Sequence, residues 1–481
     1  MSYIFLHIAK TFQFHQQVES KKYFKMISKF LIFVIFSIIL KSFPVHSITC
    51  QFEIDARDNS YGCKIIDQVI KNENDMAVIT GNHLSGYVDE SVTTLHGVNS
   101  TIEIFPSTVI NKFVNLNSVW MTNVMMRMFT NAILTCPKLE SVTLNFNEIS
   151  SIPGDIFTRC ENLLFFSAVT NRIENIHNNA FSGLGKLETL KLMQNKISTL
   201  TPEMFAPTYN LKNLNLDWNY IDNFSMDIFK ALPQLSELHL KHNKFTSWIT
   251  TELVSSLTVL HLAENQISKI EPNSFSSFNN LKVLSVGNLL ESFPSIVTNT
   301  ANLKELYLDF NKFKTITFEP FRALTELQQL HMSNNLLESV NFSLAGSNIL
   351  SKLQILFLRE NFIEEISDDA FTGLNSLTHL DLTANKLKKL NNIKPSIGLA
   401  VLDVTNNKIE SINRELFTNV TKMTFRAKEN VCTNADFIID QDFDIKVAPL
   451  LEECLNFGVV TQSNAFVLVA AVWLTFVAKM F

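Results

Sequence analysis

Glycine and proline are scarce in this sequence, with 12 of each among 481 residues. Long flexible linkers are rich in glycine or proline, so none is expected. A basic excess is missing as well, because 40 Lys and Arg stand against 46 Asp and Glu. Proteins that bind nucleic acid usually concentrate basic side chains on one face. The composition therefore argues against nucleic acid as the main partner.

Recognisable catalytic motifs are also missing. The chain has no G-x-S-x-G, no H-E-x-x-H, no P-loop and no C-x-x-C. Asp440, Asp442 and Asp444 alternate like calcium ligands. However, Ile445 stands where an EF-hand loop needs Gly, and Leu451 stands where it needs Glu. The sequence therefore predicts no enzyme, no cofactor and no bound metal, and these aspartates are interpreted as a solvated loop.

The apolar run near the N-terminus is short. It covers residues 30–40 and follows a lysine-rich stretch. This run is shorter than the roughly 20 residues of a spanning helix. Small side chains at Val45 and Ser47 then match a cleavage site. Residues 1–47 are predicted to be a secretory signal peptide, with an uncleaved anchor as the alternative. Met26 would start a more compact signal, so the residues before it are interpreted as an extension.

A second short apolar run occupies residues 465–478, near the C-terminus. Together with residues 457–464 as a spacer and Asn456 as the attachment residue, it fits a GPI-anchor signal over residues 457–481. A single transmembrane helix and a tail with neither role are the alternatives. A GPI anchor or a transmembrane helix would bring the protein to a membrane through its tail.

The main feature of the chain is an internal repeat, usually 24 residues long. The pattern L-x-x-L-x-L-x-x-N-x-[I/L/F] recurs in register, and degenerate copies extend it to about 13–14 repeats over residues 92–425. The alternating L-x-L segment predicts a short strand with its leucines inward. Asn can satisfy backbone groups that the following turn leaves unpaired. The asparagines at this position are Asn147, Asn171, Asn195, Asn219, Asn243, Asn265, Asn311, Asn335, Asn361, Asn385 and Asn407.

These repeats resemble the leucine-rich-repeat superfamily. The 24-residue period and a Phe late in many repeats are similar to the extracellular type, including insect leucine-rich immune proteins, Toll-like receptor ectodomains and connectin- or chaoptin-like adhesion proteins. The resemblance implies an α/β leucine-rich-repeat solenoid, a curved right-handed horseshoe with a parallel β-sheet on its concave face. The late phenylalanines should pack beneath the convex side: Phe157, Phe181, Phe205, Phe229, Phe275, Phe321, Phe371 and Phe417.

The end rungs of a solenoid expose apolar core and need caps. Residues 48–91 are predicted to be the N-terminal cap and residues 426–456 the C-terminal cap, and each contains two cysteines. The expected cap disulfides are Cys50–Cys63 and Cys432–Cys454.

Two further cysteines, Cys136 and Cys160, occupy equivalent positions one repeat apart. Adjacent strands lie about 4.8 Å apart, within the range of a disulfide. A disulfide is therefore expected here, with two buried free thiols as the alternative. Asparagines in N-x-S/T sequons are expected to carry glycans in the secretory pathway: Asn99, Asn223, Asn341 and Asn419.

The copy that opens at Leu281 breaks the rule. It is 22 residues long, and Asn288, preceded by Gly287, arrives one residue early. Residues 341–352 lengthen another copy. Both irregularities predict local kinks in the superhelix, with a functional loop as the alternative.

Large side chains cluster on the middle strands at positions that should face outward on the concave sheet. Exposed aromatic side chains are enriched at recognition hot spots, so a protein or glycan partner is expected there. Alternatively, these residues only tile the sheet, or partners bind a flank or the convex side. Three of the histidines could also bind zinc or sense acidity, but coincidence explains their proximity. The predicted concave-face residues are Trp218, His239, His242, His261, Tyr307, Phe310, His331 and Phe357.

These features predict an extracellular or cell-surface recognition protein, acting in innate immunity or cell adhesion. A secreted matrix protein and a soluble inhibitor are the alternatives. A homo- or hetero-oligomer is compatible with the sequence.

Overall fold

The computed structural model describes most of the chain between the predicted signal peptide and the predicted tail. Residues 1–46 and 457–481 lie outside the described part, as do the predicted glycosylation sites Asn341 and Asn419. The described residues are 47–56, 58–76, 78–130, 133–248, 256–271, 274–275, 277–293, 301–315, 321–340, 350–367, 370–371, 373–390, 398–418, 420, 422–440 and 447–456.

The L-x-L segments form the strands of one long sheet on the concave side of a solenoid. The repeat strands are parallel to one another and in register, so that Leu190 pairs with Leu214 and Leu214 with Leu238. This confirms the predicted fold. In spatial order the strands are Val78–Thr80, Ser47–Ile54, Tyr61–Ile66, Thr94–Val98, Ser118–Trp120, Ser141–Thr143, Phe165–Ser167, Thr189–Lys191, Asn213–Asn215, Glu237–His239, Val259–His261, Val283–Ser285, Glu305–Tyr307, Gln329–His331, Ile355–Phe357, His379–Asp381, Val401–Asp403, Met423–Arg426 and Asp436–Ile439.

A second row of two-residue strands, also parallel, follows the turns. The pairs are Val69–Ile70 with Thr101–Ile102, Ser151–Ile152 with Asn175–Ile176, Ser247–Trp248 with Lys269–Ile270, Ser339–Val340 with Glu365–Ile366, and Lys389–Leu390 with Ser411–Ile412.

Short helices complete the described part, and none of them is long and apolar enough to cross a bilayer. The α-helices are Ser107–Lys112, Pro202–Phe205, Ile228–Ala231 and Glu452–Asn456, and the 3-10 helices are Glu73–Met76, Asp89–Ser91, Ala206–Thr208, Arg414–Phe417 and Ala448–Leu451.

The core is a continuous stack of inward side chains. Leu190, Leu214 and Leu238 are at most 1% exposed, and burying one such side chain contributes roughly 1.5–3 kcal/mol. All eight late phenylalanines are buried as well. Because a single rung cannot cover its own leucines, stability comes from contact between neighbouring rungs.

The repeated asparagines form a buried ladder at the turn that follows each strand. The Asn219 side-chain amide donates to the carbonyl oxygens of Leu192 and Leu216, both at 3.0 Å. Its Oδ1 accepts the backbone N–H of Ile197, also at 3.0 Å. One side chain therefore satisfies three backbone groups on two rungs, as the sequence predicts. Asn288 and Asn430 extend the ladder beyond the regular copies.

The terminal strands run antiparallel to the repeat strands, and Val78–Thr80 forms the N-terminal edge beside Ser47–Ile54. Ser47–Ile54 pairs with Tyr61–Ile66, and Asp436–Ile439 pairs with Met423–Arg426. Disulfides join the three cysteine pairs expected from the sequence, each with a Cα–Cα distance of 5.0 Å: Cys50–Cys63, Cys136–Cys160 and Cys432–Cys454.

Candidate functional site

Four side chains of an ordinary rung point away from the core. In the strand Glu237–His239, the first and last residues face outward while Leu238 faces inward. Lys241 and His242 follow on the same surface. The third residue of each strand is paired with the third residue of the next strand, so these residues form a line across the sheet, here called the middle column. Residues directly before the ladder Asn form a second line, here called the turn column.

The turn column has an unusual backbone. Trp218, His242 and Phe310 have φ angles of 58°, 55° and 58°, in the left-handed region that side chains other than Gly, Asn and Asp rarely occupy. This conformation turns the large rings outward, and Phe310 is 63% exposed. Trp218 and His242 stack at a ring-centroid distance of 3.6 Å and an interplanar angle of 12°.

Rings in the middle column also stack on their neighbours. His239 and His261 lie 4.9 Å apart between ring centroids. Farther along the sheet, Tyr307 lies 4.3 Å from His331, which in turn contacts Phe357 at 4.7 Å.

The eight predicted concave-face residues thus fall into two groups on either side of the strand Val283–Ser285. The first cluster consists of Trp218, His239, His242 and His261. The second cluster consists of Tyr307, Phe310, His331 and Phe357.

Burial changes the ionisation of these rings. Desolvation, reinforced by His239, lowers the pKa of His261 to about 4, and desolvation lowers the pKa of His331 to about 4. Both imidazoles are therefore neutral at pH 7. Burial, followed by a hydrogen bond to Glu305, raises the pKa of Tyr307 to about 12. The Tyr307 hydroxyl donates to Glu305 at 2.7 Å.

Carboxylates dominate the outward positions around both clusters. Burial raises the pKa of Asp217 and of Asp309 above the ordinary value of an aspartate. Among the described residues between 213 and 360, the only cations at these outward strand and turn positions are Lys241 and Arg359. Each is held in an ion pair, with Glu264 at 2.8 Å and Glu360 at 2.6 Å respectively. The outward carboxylates of this stretch are Asp217, Glu237, Glu264, Glu305, Asp309 and Glu360.

The histidines of the first cluster do not form a metal site. His242 stacks on Trp218, whereas His239 and His261 stack on each other. Among the described residues, no three His, Cys, Asp or Glu side chains are arranged to hold a metal ion.

Of the predicted glycosylation sites, Asn99 and Asn223 lie exposed on the surface.

One aromatic pair on the same surface was not predicted. His96 and Trp120 contact each other in the middle column near the N-terminal end, at 4.4 Å between ring centroids. Both belong to degenerate repeat copies. Because these copies lack the ladder Asn, the motif did not align their outward positions with the others.

Comparison with protein families identifies the repeats independently. Residues 137–197, 169–221 and 345–387 match the family described as "Leucine rich repeat". Residues 255–297 match "Leucine Rich repeats (2 copies)".

Curated relatives and solved structures with the same repeats are similar to this chain. Toll-like receptor 3 of Homo sapiens is 35% identical over 125 residues, which are 25% of this chain and 14% of the receptor. Lumican of Gallus gallus is 31% identical over 188 residues, 38% of this chain and 53% of lumican. The chain therefore spans at most about half the length of these relatives. The Toll–Spatzle complex of Drosophila gives a TM-score of 0.59 at 20% identity, covering 76% of this chain and 54% of that one.

Proposed function

Because this chain belongs to the leucine-rich-repeat family, we propose that it is an extracellular recognition protein that binds a protein or glycan through its concave face. The observation that carries this proposal is the pair of aromatic clusters on the concave sheet. Most of these rings already contact a neighbouring ring before any partner arrives, so little side-chain entropy is lost on binding. We propose that this binding serves innate immune recognition or cell adhesion.

The extracellular location is supported by two kinds of observation. Three disulfides join the cysteines, and disulfides persist in oxidising compartments such as the cell exterior. The relatives named above are a Toll-like receptor and lumican. With the predicted signal peptide, these support secretion, and we propose tethering at the cell surface through residues 457–481.

A secreted matrix role is the second candidate, and the match to lumican favours it. The two candidates differ in where the mature protein resides. Release from intact cells by a phosphatidylinositol-specific phospholipase supports a tethered receptor or adhesion protein. Recovery only from the extracellular matrix or fluid supports the second candidate.

The concave-face proposal is tested by replacing one ring in each cluster. The double variant Trp218→Ala/Phe357→Ala should bind the natural partner at least about 30-fold more weakly, since hot-spot truncations typically cost 2 kcal/mol or more. The partner is first captured on the immobilised, glycosylated protein, and its affinity is then measured by surface plasmon resonance.

The matched control is Tyr209→Ala. Tyr209 is 54% exposed but lies outside the outward columns of the sheet. Its removal should leave affinity unchanged. If the double variant binds as well as the wild type, the partner does not use the concave face.

A further inference from the structure

The two aromatic clusters are separated by a rung that is one residue short. After the strand Val283–Ser285 comes Val286, then Gly287, then Asn288. Asn288 still takes its place in the ladder, because its amide donates to the carbonyl of Leu262 at 2.9 Å. Its Oδ1 accepts the backbone N–H of Asn265 at 2.8 Å. Gly287 takes the place of Ala263 in the rung before, since its carbonyl accepts the backbone N–H of Glu264 as the carbonyl of Ala263 accepts that of His242. The residue missing between Gly287 and Asn288 is therefore the one with the left-handed backbone of the turn column.

Gly287 removes a second side chain from the same rung. A Cβ at this position would lie 2.4 Å from the carbonyl oxygen of Asp309. Real Cβ atoms do not approach backbone oxygen this closely, so only glycine fits without displacing the next rung. The rung consequently presents only Val283 and Ser285 to the concave surface, and both are small side chains.

The missing side chains leave a slot that runs across the sheet. Ser285 pairs with His261 on one side and Tyr307 on the other, so these two residues are two strand spacings apart, about 10 Å. Ser285 is only 9% exposed, as expected for a floor between two larger side chains. Phe310 extends the Tyr307 wall into the turn column.

Both walls of the slot are supported from behind. His261 stacks on His239, and Tyr307 packs against His331 with its ring tilted. Each ring therefore packs on the side that faces away from the slot.

The charge along the slot is negative. Glu305 and Asp309 belong to the Tyr307 wall, and among the described residues neither forms an ion pair. Glu305 accepts the Tyr307 hydroxyl, and Asp309 accepts the backbone N–H of Ser333. The opposite wall adds no positive charge, because the lowered pKa of His261 keeps this ring neutral at pH 7.

We propose that this slot receives a single lysine or arginine side chain that projects from a protein partner. The proposal rests on concave-face recognition and specifies its central contact. The methylene stem would pack between the His261 and Tyr307 rings, and the cationic group would reach Glu305 or Asp309. Cations also bind favourably over a tyrosine ring. A phosphate group would instead meet two carboxylates, so nucleic acid is disfavoured here.

The test uses two fluorescein-labelled peptides, acetyl-GGRGG-amide and the same peptide with norleucine in place of arginine. Norleucine keeps the aliphatic stem and removes the charge. Binding to the full glycosylated protein is measured by fluorescence polarisation. The arginine peptide should bind at least tenfold more tightly than the norleucine peptide. Equal affinities, or tighter binding of a single-stranded RNA decamer to the same site, would overturn the proposal.

Two variants locate the binding. Ser285→Phe fills the slot and should weaken the arginine peptide at least tenfold, whereas Thr143→Phe, in the same column on an ordinary rung, should change affinity less than twofold. The variant Glu305→Gln/Asp309→Asn preserves the shape of the slot and should weaken binding of the arginine peptide at least fivefold. Its control is Glu364→Gln, which should leave that affinity unchanged. The Glu364 side chain is 55% exposed and lies outside the outward columns.

The result also separates this proposal from the broader one. If the natural partner is sensitive to Trp218→Ala/Phe357→Ala while the arginine peptide ignores both slot variants, the slot assignment is wrong and concave-face recognition stands. Neither Trp218 nor Phe357 lines the slot.

Discussion

At the scale of single residues, the turn column shows how position determines which side chains are presented. Trp218 and Phe310 are held in a left-handed backbone conformation, which costs about 1–2 kcal/mol for a residue with a Cβ. The ladder Asn that follows each of them fixes the turn, because its side chain bonds to two rungs. The cost is thus met by the ladder, and the ring is left facing solvent at a constant position.

The middle-column histidines make stability depend on pH. His261 and His331 have pKa values of about 4 in the folded protein, against a reference value of 6.5. The unfolded chain therefore binds more protons than the folded chain between these values, and stability falls as pH drops from about 6.5 to 4. The titratable neighbours of His261 include His239, Glu237, Lys241 and Glu305, and Glu305 also faces His331.

The double variant His261→Gln/His331→Gln should lose less thermal stability than the wild type over this range. Melting temperatures at pH 7.5, 5.5 and 4.5 measure the difference. Both proteins also lose carboxylate interactions in acid, so the comparison between them isolates the two imidazoles. Parallel curves for the two proteins would show that these histidines protonate equally well in the folded and unfolded chains.

At the scale of the element, the rung joins a strand, a turn and one ladder asparagine. Replacing Asn219 with Ala removes three buried hydrogen bonds, to Leu192, Leu216 and Ile197. Each such bond is worth about 1 kcal/mol net, so the free energy of unfolding should fall by about 3 kcal/mol. Urea unfolding followed by circular dichroism measures this loss.

Asn178→Ala is the control for the ladder. Asn178 is exposed and its side chain accepts only the Thr201 hydroxyl among the described contacts. Its replacement should cost less than about 0.5 kcal/mol. Equal losses in the two variants would mean that the ladder bonds contribute no more than ordinary surface contacts.

Much of the rung could be predicted from the sequence, because period-2 leucines and a fixed Asn describe one local geometry. Leu190 and Leu214 lie inward and in register as the pattern indicates. The left-handed turn column could not be predicted, since Trp218 and Phe310 are residues that disfavour this conformation. The slot at Ser285 could not be predicted either. Gly287 and the early Asn288 mark an irregularity in the sequence, but only the paired strands show that the ladder continues and that a side chain is lost from the outer surface.

At the scale of the whole molecule, the solenoid is held by contact between neighbouring rungs and is closed at its ends. The last strand, Asp436–Ile439, covers the terminal rung, and Cys432–Cys454 ties the helix Glu452–Asn456 beside it. An end that opens exposes the leucines of the next rung. The cap disulfide therefore protects more of the core than it touches.

The variant Cys432→Ala/Cys454→Ala should lower the free energy of unfolding by about 3 kcal/mol, as expected for a disulfide that closes a loop of about 20 residues. Hydrogen exchange should quicken first in Met423–Arg426 and Asp436–Ile439. The Cys136–Cys160 disulfide closes a loop of similar length but lies far from this end. The variant Cys136→Ala/Cys160→Ala should therefore leave hydrogen exchange in these two strands unchanged. Uniform acceleration in both variants would contradict a local role for the cap.

A strictly periodic surface would offer a binding partner many equivalent positions, each displaced by one rung from the next. The missing turn-column residue beside Gly287 breaks that equivalence between the two aromatic clusters. A partner that recognises the interruption can sit in only one alignment along the solenoid, and it can also tell the two directions apart. The absence of one residue from one repeat would thus give a repetitive scaffold a unique binding register.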